Sequence, residues 1–240
     1  MSIKRLDGRG PRDIRPISFA RNWLPSATGS VLVDIGRTRV LCTAVIEDGV
    51  PPFLKNSDQG WLTAEYSMLP ASTGDRRKRD RGGRTDGRSV EIQRLIGRSL
   101  RAVVNRKGIP GRTIWIDCDV LAADGGTRTA SINGAYVAMH DALSKLKEHD
   151  ALKFWPLQDS VRAISVGMVE SNVVVDLSYY EDSQADVDMN LVTTGSGRVI
   201  EISGGAERGT FTQEQMFDML EQAQEGLGAV GEAQEAALAR

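Results

Sequence analysis

Apolar residues alternate with polar ones at Val31, Val33 and Ile35, and again at Val40, Cys42, Ala44 and Ile46, with GRTR between the two runs. A period of two marks half-buried strands, so this segment predicts an early hairpin. WLTAEYSML is a further strand-like stretch. From Ser89 to Lys107 the period changes: Ile92, Leu95, Ile96, Val103 and Val104 form a helical stripe with Arg94, Arg98 and Arg101 off it. TIWIDCDVL returns to strand, with Ile114, Ile116, Cys118 and Val120 on one side and Asp117 and Asp119 on the other. The next helix presents Ile132, Ala135, Tyr136, Met139, Leu143 and Leu146. Strand-like AISVGMV, VVVDLSYY, VDMNLVTT and RVIEIS follow, the last two joined by a TGSG turn. Thr212 and Gln215 make a capping box for a helix buried through Met216, Met219, Leu220 and Ala223, and GEAQEAALA predicts a second short helix at the end. The expected class is α/β (α+β): mixed sheets and packed helices in a single domain over residues 1–240, with no repeat, long linker or sharp boundary.

Composition adds exclusions. The chain has 240 residues, 40% hydrophobic and 26% charged, as in ordinary soluble proteins. No run approaches the ~18 apolar residues of a membrane span, and MSIKRLDGRGPRD lacks a signal-peptide core. Cys42 and Cys118 show no metal-ligand spacing and read as buried, reduced thiols of a cytoplasmic protein.

The net charge of −2 conceals an asymmetry. Residues 1–128 carry 23 Lys and Arg against 14 Asp and Glu, whereas residues 129–240 carry 7 against 18. Such a division suits a protein that holds a polyanion on one side and does charged chemistry on the other. It equally suits subunits that meet through complementary faces.

The joint between the TIWIDCDVLAAD strand and the SINGAYVAMHDAL helix is Gly125, Gly126, Thr127 and Arg128. A helix start offers unpaired N–H groups and the positive end of its dipole. Glycines let backbone approach an anion, hydroxyls donate to it and Arg pairs with it in a fork, so the composition fits phosphate. Neither GxxxxGK[ST] nor a helix-opening GxGxxG occurs. A plain turn with Thr127 or Thr129 as N-cap and Arg128 in solvent is the competing reading.

A Gly-rich loop supplies more positive charge. Between Gly74 and Leu95 lie Arg76, Arg77, Lys78, Arg79, Arg81, Arg84 and Arg88. Over residues 72–87 this predicts an exposed, mobile loop, suited to a nucleic-acid backbone. Arg5, Arg9, Arg12 and Arg15 make a weaker basic arm. The opposite charge gathers in YYEDSQADVDMNLV, with Glu181, Asp182, Asp186 and Asp188 between two strands. Asp186 and Asp188 share a strand face, and Asp182 falls in the preceding turn. Crowded carboxylates need a neutralising cation, and hard oxygen ligands suit Mg²⁺ bridging a phosphate; a polar turn is the alternative.

RLDGRGPRDIRPI, GSVLVDIGRTRVLCTA, GWLTAEYSMLP, GRSVEIQRLIGRSLRAVV, TIWIDCDVLAADGGTRTASINGA and YYEDSQADVDMNLV, in this order, resemble the bacterial ribonuclease PH family. The resemblance runs from about residue 5 to the C-terminal helix. It implies a βαβ-type fold in a hexameric ring of three dimers. It also implies a phosphorolytic 3′→5′ exoribonuclease, or tRNA nucleotidyltransferase, that trims tRNA precursors and other structured RNA, rRNA included. Inorganic phosphate would be the co-substrate, nucleoside diphosphates the products, and the reaction reversible.

Carried over residue by residue, the phosphate-binding positions fall on Arg88, Gly126, Thr127 and Arg128, and the catalytic and metal-binding carboxylates on Asp182 and Asp188, for Mg²⁺ or Mn²⁺. Arg76, Arg77, Lys78 and Arg79 would grip RNA. Two positions depart from the family pattern: Ala71 stands where an Arg usually grips RNA, and GGAERG around Gly204–Gly209 replaces GTAEG. Three other classes remain at this stage: a non-catalytic RNA-binding ring subunit, a hydrolytic nuclease needing a water activator, and a kinase, whose phosphate loop is missing. His140 and His149 read as structural or solvated.

Overall fold

The computed structural model describes residues 5–79 and 86–240. Residues 1–4 and 80–85 lie outside this description, and with them Arg81 and Arg84 of the basic loop. The predicted hairpin is present as β2 (Gly29–Ile35) and β3 (Thr38–Asp48), preceded by β1 (Ile17–Arg21). Alternation drives the pairing: Val31, Val33, Val40, Cys42 and Ala44 are buried on one face. β5 (Arg112–Ala122) pairs antiparallel with β3 and parallel with β4 (Trp61–Met68), giving the mixed order β1-β2-β3-β5-β4. The crossover between parallel β4 and β5 carries α1 (Gly87–Arg101), so the expected βαβ unit is present. Val103 and Val104, expected on that helix, lie beyond its end; Val104 bridges to Leu157 instead.

A second sheet has the order β7-β6-β8-β9, all antiparallel, with β6 (Val161–Val169), β7 (Asn172–Val175), β8 (Val187–Thr194) and β9 (Val199–Ala206). Between the sheets lies α2 (Thr127–Glu148), which packs on β2, β3 and β5 on one side and β6 on the other. Burial on both flanks explains its run of small residues, Ala130, Ser131, Gly134, Ala135 and Ala138. Its Asn133 amide clasps the β6 backbone, donating to the Ala163 carbonyl (2.9 Å) and accepting from the Ala163 N–H (2.8 Å).

Two expectations are corrected. VVVDLSYY is strand only to Val175; Asp176 takes a left-handed φ of 55° and ends β7, and Tyr179–Asp182 forms a one-turn helix, α3. The C-terminal segment is one helix, α4 (Gln213–Leu238), opened by the predicted Thr212/Gln215 box. The expected second helix GEAQEAALA is thus the end of α4, and two of its glycines serve packing. A Cβ on Gly226 would come within 2.3 Å of the Ile164 side chain, and one on Gly231 within 2.1 Å of Arg162, both on β6. Cys42 and Cys118 are free and buried, as expected. Among the described residues, no helix is long and apolar enough to cross a membrane.

Candidate active site

The strand-to-helix joint brings three chain segments together. Gly125 and Gly126 have φ of 76° and 64°, a region L-residues avoid. A Cβ on Gly125 would lie 2.6 Å from the Leu177 carbonyl oxygen, in the segment entering α3. One on Gly126 would meet the Arg15 guanidinium at 3.0 Å. The glycines therefore do more than leave room for an anion: they seat the turn against the residues that carry Asp182.

Neither threonine is the N-cap of α2. Gly126 holds that position, and no side chain caps it. The Thr129 hydroxyl donates to the Gly126 carbonyl (2.9 Å), and Thr127 Oγ1 accepts from the Tyr66 hydroxyl (2.9 Å). Among the described residues, the first-turn N–H groups of this 22-residue helix have no side-chain partners, and the positive dipole end lies behind them.

These groups border a cavity of about 500 Å³, lined among others by Arg77, Arg88, Gly126, Thr127, Tyr179 and Asp182. Arg88 enters from the first turn of α1, whose N-cap Asp86 makes no capping bond. Arg77 is held at the cavity lining by hydrogen bonds to Met68 Sδ (3.0 Å) and Asp86 (3.3 Å), so it supplies a guanidinium to the site. Lys78 and Arg79 line an adjoining recess of about 160 Å³, and Arg76 is exposed nearby. Arg128 stands back from the cavity lining, 3.3 Å from Glu91, instead of lying in solvent. Its charge still reaches the site, because it lowers the pKa of Asp182 and Asp188.

The acidic cluster divides by role. Glu181 is buried in an ion pair with Arg5 (2.7 Å) and closes a capping box with Ser178, so it serves structure. Asp186 receives the Glu207 and Arg208 N–H groups on its backbone carbonyl. Asp182 and Asp188 remain, and among the described residues neither carboxylate makes a hydrogen bond or ion pair. Burial raises Asp182 above the ordinary carboxylate range against the pull of Arg88 and Arg128. Burial, then the neighbouring Asp182 charge, pushes Asp188 up to about 6. Two mutually repelling oxygen-donor groups without protein partners fit a hard divalent cation such as Mg²⁺. No group of three or more His, Cys, Asp or Glu side chains converges among the described residues, so the protein would offer two carboxylates and leave other positions open.

Sequence reasoning missed several contributors. Glu207 adds negative charge that raises both aspartates, and it lies in the GGAERG stretch, where Gly205 faces Asp188 across the β8–β9 ladder. A Cβ on Gly204 would sit 2.1 Å from the Asp188 carbonyl, so that departure from the family pattern borders the site. The basic arm is not an arm. Arg5 is buried against Glu181, Arg15 pairs with Asp176 (2.6 Å) and bonds the Asp124 carbonyl, and Arg9 reaches Asp176 (3.2 Å). These residues tie the β5–α2 turn to the β7–α3 turn; only Arg12, paired with Glu225, is largely exposed.

The family model for domain 1 of the 3′ exoribonuclease family matches residues 13–144, and that for domain 2 matches residues 159–226. The chain belongs to the ribonuclease PH family of 3′ exoribonucleases. It is 52% identical over 224 residues to the ribonuclease PH of Moorella thermoacetica, covering 93% of this chain and 90% of that one. Among solved structures, rice Rrp46 superposes with a TM-score of 0.79 at 22% identity, covering 98% of this chain and 100% of the other. A chain of the Archaeoglobus fulgidus exosome with RNA bound to the active site gives 0.81 at 22% identity, covering 95% and 92%. At that identity the structures speak for the fold. The fold of this 3′ exoribonuclease sets the N-terminal ends of α1 and α2 beside α3, and its enzymatic class follows from membership.

Proposed function

We propose that this exoribonuclease trims RNA from the 3′ end by phosphorolysis in the cavity between α1, α2 and α3. The observation that carries this reading is that Arg88, an uncapped helix start and Asp182 line one space of about 500 Å³. Arg88, the N–H groups at Gly126 and Thr127 and the Thr127 hydroxyl would hold inorganic phosphate and offset its charge. Arg128, steadied by Glu91, would add a second cation from behind. A phosphate oxygen then bonds to the scissile phosphorus, the bond from phosphorus to the departing 3′ oxygen breaks, and that oxygen takes up a proton. A nucleoside diphosphate leaves, and the reverse reaction extends the RNA.

Asp182 lines the cavity where the scissile phosphate would come, and Asp188 is near enough to feel its charge. One of the pair, raised in pKa, is suited to deliver the proton. The same two carboxylates would hold Mg²⁺ or Mn²⁺, which when bound neutralises charge on the scissile phosphate. Arg76, Arg77, Lys78 and Arg79 would grip the RNA backbone without reading bases, so accessible 3′ ends of tRNA precursors and rRNA are the expected substrates. The exosome likeness of the fold supports ring assembly, with a hexamer of three dimers as the proposed form.

The test is a 3′-extended RNA incubated with dialysed protein and Mg²⁺, with and without phosphate. Shortening that requires phosphate is expected. Equal shortening in its absence would overturn phosphorolysis.

A further inference from the structure

Tyr66 is 3% exposed, and its ring packs in the core below α2. It lies on β4 opposite Cys118 of β5, four residues before that strand ends at Ala122 and leads into the Gly125–Thr127 turn. The alternation that buries Leu62, Ala64 and Tyr66 also aims the Tyr66 hydroxyl at the first residue of α2. There it donates to Thr127 Oγ1 at 2.9 Å. Burial raises the phenol above its ordinary pKa, so it keeps its proton across the working range.

A threonine hydroxyl has one hydrogen and two lone pairs. With one lone pair taken by Tyr66, the Thr127 hydrogen has no acceptor of its own among the described residues, while Thr127 itself lines the cavity. The nearest competing local bond is absent: the hydroxyl that turns back onto the helix start belongs to Thr129, and Ser131 occupies the Thr127 carbonyl at 2.8 Å. We infer that Tyr66 is a positioning residue of the phosphate site, its hydroxyl orienting Thr127 so that the single Thr127 proton is presented to the bound phosphate. The inference rests on the reading that phosphate binds at the α2 start. It assigns Tyr66 a part in affinity for the attacking anion and none in contact with the RNA.

Tyr66→Phe keeps the ring and removes the donor. It should raise KM for phosphate by about 2- to 13-fold, the range for one neutral hydrogen bond. Turnover at saturating phosphate and KM for RNA should stay near wild type. KM for a nucleoside diphosphate in the reverse direction should rise in parallel. Thr127→Val should raise KM for phosphate at least as much, and adding Tyr66→Phe to it should have no further effect, because the partner is already gone. Stabilisation against heat by inorganic phosphate alone, without RNA, repeats the comparison for any variant too weak to assay. A wild-type phosphate KM in Tyr66→Phe beside a raised one in Thr127→Val overturns the inference and leaves the phosphate site standing. Wild-type behaviour in Thr127→Val overturns the site itself. An equal Tyr66→Phe effect in both backgrounds, or one falling alike on phosphate, RNA and turnover, makes the contact purely structural and overturns the inference.

Discussion

Asp182 and Asp188 differ in surroundings although the charge of the first acts on the second. Asp182 borders the cavity and feels Arg88 and Arg128 first after burial, whereas Asp188 feels Asp182 first after burial. Replacing either by Asn should lower turnover on the order of 100-fold or more, the usual weight of proton-transfer catalysis. RNA affinity should hold or rise, since a negative group near a polyanion is removed. A binding assay beside single-turnover trimming checks this; loss of RNA affinity in a folded variant would make the pair structural. The GGTR composition was legible because it carries its chemistry within a few residues, whereas local spacing pairs Asp186 with Asp188 and only the family resemblance singles out Asp182 with Asp188. Arg5, Arg9 and Arg15 were misread because their partners, Glu181 and Asp176, lie more than 160 residues away and cannot be seen in local charge density. Glu207 and Tyr66 were invisible for the same reason: each acts on residues distant in sequence, Glu207 on Asp182 and Asp188 and Tyr66 on Thr127.

Elements show a similar division. Alternation was enough for β2, β3, β4 and β5, whose buried face repeats every second residue. It failed for VVVDLSYY, where Asp176 turns the chain to meet Arg15. The C-terminal segment reads as two helices in the sequence but is the single α4, in which Gly226 and Gly231 admit β6 side chains. Gly226→Ala should therefore destabilise the fold by about 1–3 kcal/mol through overpacking, despite the better helix propensity of Ala. Urea unfolding measures this, and a stabilised variant would refute the packing role. α3 makes a pH prediction. Burial alone would raise Glu181, but hydrogen bonds from Arg5 and Ser178 hold its carboxyl below the ordinary 4.5. A depressed acid stabilises the folded state fully above its unfolded value and loses that contribution as pH falls through the folded one. Thermal midpoints should fall on acidification below pH 4.5, and Glu181→Gln, less stable at neutral pH, should show a shallower fall. An unchanged acid limb would show that the Arg5 pair contributes nothing to it.

Across the whole molecule, positive charge collects around the cavity mouth while the acidic half supplies Asp182 to its lining, with the charges of Asp188 and Glu207 close by. Replacing Arg76, Arg77, Lys78 and Arg79 with Ala should weaken RNA binding and reduce its salt slope by roughly 0.7 per lost phosphate contact. Because Arg77 lines the cavity, trimming should suffer more than binding. A salt slope equal to that of the parent protein would leave the loop merely solvated. The meeting of two anions in one cavity is the centre of the account, and isotopic labelling tests it most directly. RNA is trimmed in ¹⁸O-labelled inorganic phosphate, and the released nucleotides are weighed by mass spectrometry. Nucleoside diphosphates carrying the label in the terminal phosphate are predicted, whereas unlabelled nucleoside monophosphates would mean that water, not phosphate, is the nucleophile.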